Sequence, residues 1–190
     1  MKKSRILGAG HYVPERIVTN EELSKMMDTN NEWIVERTGI HERRWFTPGV
    51  DTLTNMSAKA SRMALERANV DVSEIDFIVF ATITSDYFVP GNGVLLQREL
   101  GLTSIGAIDI KNACSGFVYA LSVADQFIKT GMYQKILVVG AEIQSSGLDK
   151  SNEGRSSAVI FADGAGAVVL GAVENDQPGI LSTHLHSEGA

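Results

Sequence analysis

Asp109-Ile110-Lys111-Asn112-Ala113-Cys114-Ser115-Gly116-Phe117 marks the point where one periodicity gives way to another. Before it, Ile105 to Ile110 is an apolar run of the kind that forms a strand. After it, Phe117, Leu121, Ala124 and Ile128 recur at helical spacing, predicting a helix over 115–130 with Gly131 at its C-cap position. Cys114, the only cysteine, falls on this strand-to-helix junction. A thiol on the first turn of a helix faces unpaired backbone N–H groups and the positive end of the macrodipole. Both favour the thiolate, which is the nucleophilic form. A lone cysteine is also commonly a small core residue, so position alone leaves a reactive and a structural thiol open.

The rest of the chain repeats the same alternation of strand and helix. Arg5 to Gly10 reads as a first strand, closed by a turn through Pro14. Thr19-Asn20-Glu21-Glu22 is a helix start whose helix carries Leu23, Met26 and Met27 on one face. A second short helix spans 31–37 and stops at Thr38-Gly39, and 40–45 is extended and polar-alternating, suited to an edge strand or loop. Residues 53–68 form a clear amphipathic helix, and 94–100 a shorter one after the break Pro90-Gly91-Asn92-Gly93. The runs 75–83 and 135–141 are continuously β-branched and apolar, the pattern of strands buried on both faces. Ser145 to Ser157 is a polar loop long enough to carry function. Residues 158–161, 166–173 and 180–186 supply the last predicted strands. Strands separated by helices predict an α/β layered fold with a largely buried sheet.

Composition narrows the function classes. The chain of 190 residues is 44% hydrophobic and 21% charged, ordinary for one globular domain. A net charge of −6 gives no electrostatic footprint for nucleic acid. The apolar segment after the basic start ends by His11 and is too short for a signal sequence, and no run approaches a membrane span. One cysteine excludes an internal disulfide and a cysteine-based zinc site, and fits a reducing, cytoplasmic setting.

Two glycine runs lack what a dinucleotide fingerprint requires. Gly8-Ala9-Gly10 has no third glycine at the needed offset, and Asp163-Gly164-Ala165-Gly166 precedes a strand instead of a helix. His184 and His186, at i and i+2 on a predicted strand, offer a weak metal pair or simply a polar strand face. Trp33 and Arg37, at i and i+4, share a helix face where an aromatic ring beside a cation suits adenine stacking and phosphate pairing. The plainer account is a packed tryptophan with a surface arginine.

Taken in order, these residues resemble the β-ketoacyl-[acyl carrier protein] synthase III family, which has the thiolase fold. The resemblance runs the length of the chain. It rests on Leu7-Gly8-Ala9-Gly10 with Pro14, Thr19-Asn20, Asp28-Thr29, Asn31-Glu32-Trp33-Ile34, Arg37-Thr38-Gly39-Ile40 and Arg43. It continues through Asp109, Ala113-Cys114-Ser115-Gly116-Phe117, Leu137-Val138-Val139-Gly140, Phe161-Ala162-Asp163-Gly164-Ala165-Gly166-Ala167 and Ser182-Thr183-His184-Leu185-His186-Ser187.

The resemblance implies a mixed, mostly parallel sheet covered by helices, with 1–190 as the N-terminal half of a pseudo-symmetric pair. Cys114 matches the nucleophile that takes an acyl group, commonly acetyl, from acyl-CoA. Malonyl-[acyl carrier protein] then decarboxylates and condenses with it to give a 3-ketoacyl thioester, which initiates fatty-acid synthesis. Acyl-CoA is a substrate, and no cofactor is implied. Trp33 and Arg155 match the pair that sandwiches the CoA adenine, Arg37 an arginine near the CoA phosphates, and Thr29 a nearby contact. The backbone N–H of Cys114 suits an oxyanion donor. The family's catalytic histidine and asparagine belong to a C-terminal half that the sequence does not include. A homodimer is implied, with residues near Asp86-Tyr87-Phe88-Val89-Pro90 at its interface. Val89 stands where most members have an aromatic, so the acyl length is left open. The alternatives are a related thiolase-fold acyltransferase or ketosynthase of secondary metabolism, and an inactive half-chain that serves only as a pairing subunit.

Overall fold

In the computed structural model, which describes residues 2–189, a five-stranded sheet has helices on both faces. The strands are β1 (Lys3–Tyr12), β4 (Phe77–Ala81), β5 (Gly106–Ile110), β6 (Lys135–Ile143) and β7 (Asp163–Val173), in the order β1-β7-β6-β4-β5. A separate ribbon pairs β2 (Ile17–Thr19) with β3 (Glu42–Arg44). The helices are α1 (Asn20–Leu23), α2 (Asn31–Thr38), α3 (Leu53–Ala68), α4 (Asn92–Glu99), α5 (Gly116–Lys129) and α6 (Arg155–Ala158). The sheet is mixed, but evenly so. β4 runs parallel to β5 and β6, whereas β7 is antiparallel to both β1 and β6.

The continuous apolar runs follow from double coverage. Ile78 and Phe80 of β4, with Leu137 and Val139 of β6, face a core built against α3 and α4. Phe77, Val79 and Ala81, with Ile136 and Val138, face Ala120, Ala124 and Ile128 of α5. A strand with both faces buried has no position for a polar side chain, and all five residues of β4 are buried. A third core, of Val18, Leu23, Met27, Ile34, Trp45, Ala158 and Val159, makes a small lobe beside the sheet.

Local signals set the helix ends. The Thr19 side chain accepts from Glu22 N–H and Asn30 from Trp33 N–H, while Thr52 and Asn55 form a reciprocal capping box on α3. Gly39 and Gly131, both at positive φ, follow α2 and α5 as predicted. α1 is a single turn, so Leu23 and Met27 are buried but Met26 is exposed. Asp125 is fully buried within α5, and its carboxylate accepts from Ser4 at 2.5 Å, Lys129 at 2.8 Å and Gln126 at 2.9 Å.

Two predicted strands are corrected. Within 158–161 Ala158 closes α6 and 159–160 are turn, because Ala158 and Val159 pack into the small lobe and never reach the sheet. Short apolar runs do not distinguish strand from buried helix. Residues 180–186 pair with no strand. Ile180 N–H donates to Ser4 O at 2.8 Å, and Thr183 then meets Ser122 of α5 at 3.0 Å. His184 and His186 therefore share no strand face, and the nearest partner of His184 is Ser182 at 3.0 Å. Among the described residues no group of three His, Cys, Asp or Glu could hold a metal, and no helix is long and apolar enough to cross a membrane.

The backbone of α3 lies directly on β1. A Cβ added at Gly10 would stand 2.2 Å from Ala60 O and 2.5 Å from Ala64 N. Backbone atoms on a packed helix cannot yield, so Gly10→Ala is expected to cost about 2 to 3 kcal/mol, read as a lower urea midpoint. Gly147→Ala, whose Cβ would meet nothing within 4 Å, is the control and should stay within about 0.5 kcal/mol.

Candidate functional site

Cys114 lies in a 3-10 turn, Ala113–Ser115, between β5 and α5. Ala113 holds φ +46°, an uncommon conformation for a residue with a Cβ. Asn112 and Ser115 fix the turn: Asn112 Nδ2 donates to Ser115 Oγ, which donates back to Asn112 O, both at 2.9 Å. Cys114 is exposed, which rules out the buried-core account of the thiol. The turn sits tight against the sheet because Gly116 comes close to Ala81, where an added Cβ would be 3.3 Å from that side chain.

The thiol borders a cavity of about 550 Å³. Strand register explains why space is left there. Ala81 pairs with Gly140 and Gly140 with Gly166, so a row of small residues crosses three strands. Phe117, Ile83 and Phe161 stand around this row. The result is an apolar recess with a thiol at its edge, suited to a short hydrocarbon chain bonded to sulfur. All four histidines are exposed, and none lines the recess.

A second cluster occupies the small lobe. Trp33 is half-buried on α2, with the Arg37 guanidinium carbon 4.5 Å and that of Arg155 4.7 Å from its ring centroid. Arg155 donates to Asp28 O at 2.6 Å, and Asn152 accepts from Asp28 N–H at 2.6 Å, so the loop holding Thr29 is tied to the loop holding Arg155. The Thr29 hydroxyl is buried and has no hydrogen-bond partner. Two cations on one indole make a surface that a flat, anionic ligand can use. The fold thus gathers Thr29, Trp33, Arg37 and Arg155 in one place, and sets Cys114 in a different one.

The segment 155–162 joins the two clusters. Arg155 at its start touches Trp33, while Phe161 and Ala162 at its end line the cavity. Its course is fixed by Arg43, a buried guanidinium that donates to Val159 O at 3.2 Å, Val18 O at 3.1 Å and Asn20 Oδ1 at 2.7 Å. Among the described residues no carboxylate answers this charge, and burial pushes the Arg43 guanidinium below its ordinary pKa.

Sequence reading did not single out Ile83 or Glu142, and met Phe161 only within a motif of the resemblance, yet all three border the cavity. Only Glu142 left a visible signal, an acid placed directly at the end of the apolar run Leu137 to Ala141.

The family model for 3-oxoacyl-[acyl-carrier-protein (ACP)] synthase III matches residues 108–189. The chain is 47% identical to the β-ketoacyl-[acyl-carrier-protein] synthase III of Ehrlichia canis over its whole length, which is 58% of that relative. Its fold matches the crystal structure of 3-oxoacyl-[acyl-carrier-protein] synthase III from Aquifex aeolicus with a TM-score of 0.92 and 43% identity, over 98% of this chain and 59% of that one. It also matches the priming β-ketosynthase of the R1128 polyketide biosynthetic pathway, with a TM-score of 0.87 and 41% identity, over 94% of this chain and 52% of that one. The chain thus spans a little over half the length of the relatives it matches.

Replacing Arg43 by Met removes three hydrogen bonds from the link between lobe and cavity. It is expected to destabilise the protein by about 2 to 4 kcal/mol. Limited proteolysis should then cut first within 148–160, ahead of any site in the five-stranded sheet.

Proposed function

We propose that the chain is a member of the β-ketoacyl-[acyl-carrier-protein] synthase III family and carries the acyl-accepting half of a decarboxylating condensation. The Cys114 thiolate attacks the carbonyl carbon of an acyl-CoA thioester, commonly acetyl-CoA. The C–S bond to CoA breaks, the CoA thiolate takes up a proton, and the acyl group stays on Cys114 as a thioester. Malonyl-[acyl carrier protein] then loses carbon dioxide, and the carbanion that remains attacks the acyl carbonyl. Cys114 departs as thiolate and a 3-ketoacyl-[acyl carrier protein] is released, the first elongation of fatty-acid synthesis.

The observation that carries this reading is an exposed thiol at the edge of an apolar recess large enough for a short acyl chain. The Cys114 N–H, in the turn before α5, supports charge development on the carbonyl oxygen. For CoA, Trp33 and Arg155 hold the adenine, phosphates meet Arg37, and Thr29 lies in the loop that Arg155 ties down. The pantetheine arm then follows the 155–162 segment to Cys114. Decarboxylation needs groups that polarise the malonyl thioester. We assign these to a histidine and an asparagine of a C-terminal half, with residues 1–190 as the N-terminal half. No cofactor enters either step, and a nucleophilic thiol fits the reducing cytoplasm.

Homodimerisation suits the exposed edge of the sheet. β5 is an edge strand, half-exposed along its length, and Tyr87, Phe88 and Val89 are 62%, 83% and 77% exposed. An open strand edge and solvent-facing aromatics are what a second copy would cover. The polyketide priming enzyme among the structural matches supports a second reading, the same acyl transfer serving secondary metabolism.

Incubation with acetyl-CoA followed by intact-mass analysis should show one acetyl group on the protein, and none on Cys114→Ser. Trp33→Ala and Arg155→Ala should each weaken CoA binding roughly tenfold, the worth of one base-stacking contact, measured by calorimetry. An unmodified wild-type mass after prolonged incubation would refute acyl transfer by this chain.

A further inference from the structure

Glu142, at the end of β6, is the one carboxylate among the described residues that lines the Cys114 cavity, and the condensation as described gives it no task. One of its oxygens accepts from Ile83 N–H at 2.9 Å. The other accepts from the hydroxyls of Thr84 at 2.5 Å and Thr82 at 3.3 Å. The parallel ladder between β4 and β6 ends at Ala81 and Gly140, so the Ile83 N–H has run past its strand partners. The carboxylate takes over where the ladder stops.

The network closes on itself. Thr84 Oγ1 also accepts from Ile143 N–H at 2.8 Å, and Thr82 Oγ1 accepts from Thr84 N–H at 3.1 Å. Three consecutive residues are thereby bound to β6, mainly by one side chain. The middle one, Ile83, lines the cavity, and with its side chain 46% exposed it has little packing of its own to hold it there. Beyond this triplet the chain is next anchored at Asp86, whose carboxylate accepts from Leu53 and Thr54 N–H at the start of α3.

We infer that Glu142 is a positioning residue for acyl-chain length. By fixing Thr82, Ile83 and Thr84 to β6 it sets how far Ile83 closes the recess, and so which chain fits beside Cys114. A tie that served only stability would affect chains of every length alike. A wall held by this tie discriminates between them, because one methylene of fit in an apolar pocket is worth roughly tenfold in rate.

This inference rests on the reading that Cys114 receives acyl groups, so its test bypasses CoA. Cys114 in the full chain is alkylated with N-ethyl and N-octyl iodoacetamide, and the two rates are followed by intact mass. Glu142→Ala releases the wall and is expected to raise the octyl-to-ethyl rate ratio about tenfold. Glu142→Gln keeps the shape and an acceptor for Ile83, and should leave the ratio within about twofold of wild type. Should Glu142→Ala not fold, Glu142→Asp shortens the tie and should raise the ratio about threefold. An unchanged ratio in the folded Ala or Asp variant, whatever happens to the absolute rates, overturns the inference. A wild-type protein that takes the iodoacetamides but no acetyl from acetyl-CoA would instead refute acyl transfer, with the ratio still deciding the role of Glu142.

Discussion

A single buried carboxylate, Asp163, holds the parts of this protein that have to meet. It opens β7 and accepts from Phe46 N–H at 2.6 Å and Ser145 N–H at 2.8 Å, with the Ser145 hydroxyl as a third donor. Phe46 follows the β2–β3 ribbon and Ser145 follows β6, so one side chain joins the small lobe to the end of the sheet that carries the cavity. A buried carboxylate with three donors is rigid and costly to break, which suits a joint that sets the distance between two sites. Arg43 does the complementary work from the lobe, reaching Val159 four residues before Asp163. Between these two residues the 155–162 segment has little freedom.

The cavity itself is made by omission. Ala81, Gly140 and Gly166 line up across three strands because the register places them there. A sheet of valines at those positions would fill the recess, and Cys114 would face packed side chains. Gly140 also admits Phe117, since an added Cβ there would stand 3.2 Å from its ring. Sequence thus acts twice on the site: at the junction that presents the thiol, and in a row of small residues far apart in the chain.

Much of this was legible before folding. The strand-to-helix junction, the doubly buried strands at 75–83 and 135–141, the caps and the long helix α3 depend on local pattern, and the structure keeps them. The stacking residues Trp33 and Arg37 were visible as one helix face, but Arg155 lies more than a hundred residues away and joined them only through family resemblance. Residues 158–161 were misread because their apolar run serves the small lobe instead of the sheet. Residues 180–186 were read as a last strand, yet a short segment cannot show whether an edge is there to pair with. Glu142 was passed over because its partners at 82–84 are brought near only by the β4–β6 register.

The central claim is that the Trp33 cluster and the Cys114 recess serve one ligand, spanned by the 155–162 segment. The direct measurement is the rate at which iodoacetamide labels Cys114 with and without CoA. The account predicts that CoA slows labelling in the wild-type chain, and that Trp33→Ala and Arg155→Ala lose this protection while labelling normally without CoA. Binding of CoA that leaves the labelling rate of Cys114 unchanged would contradict it.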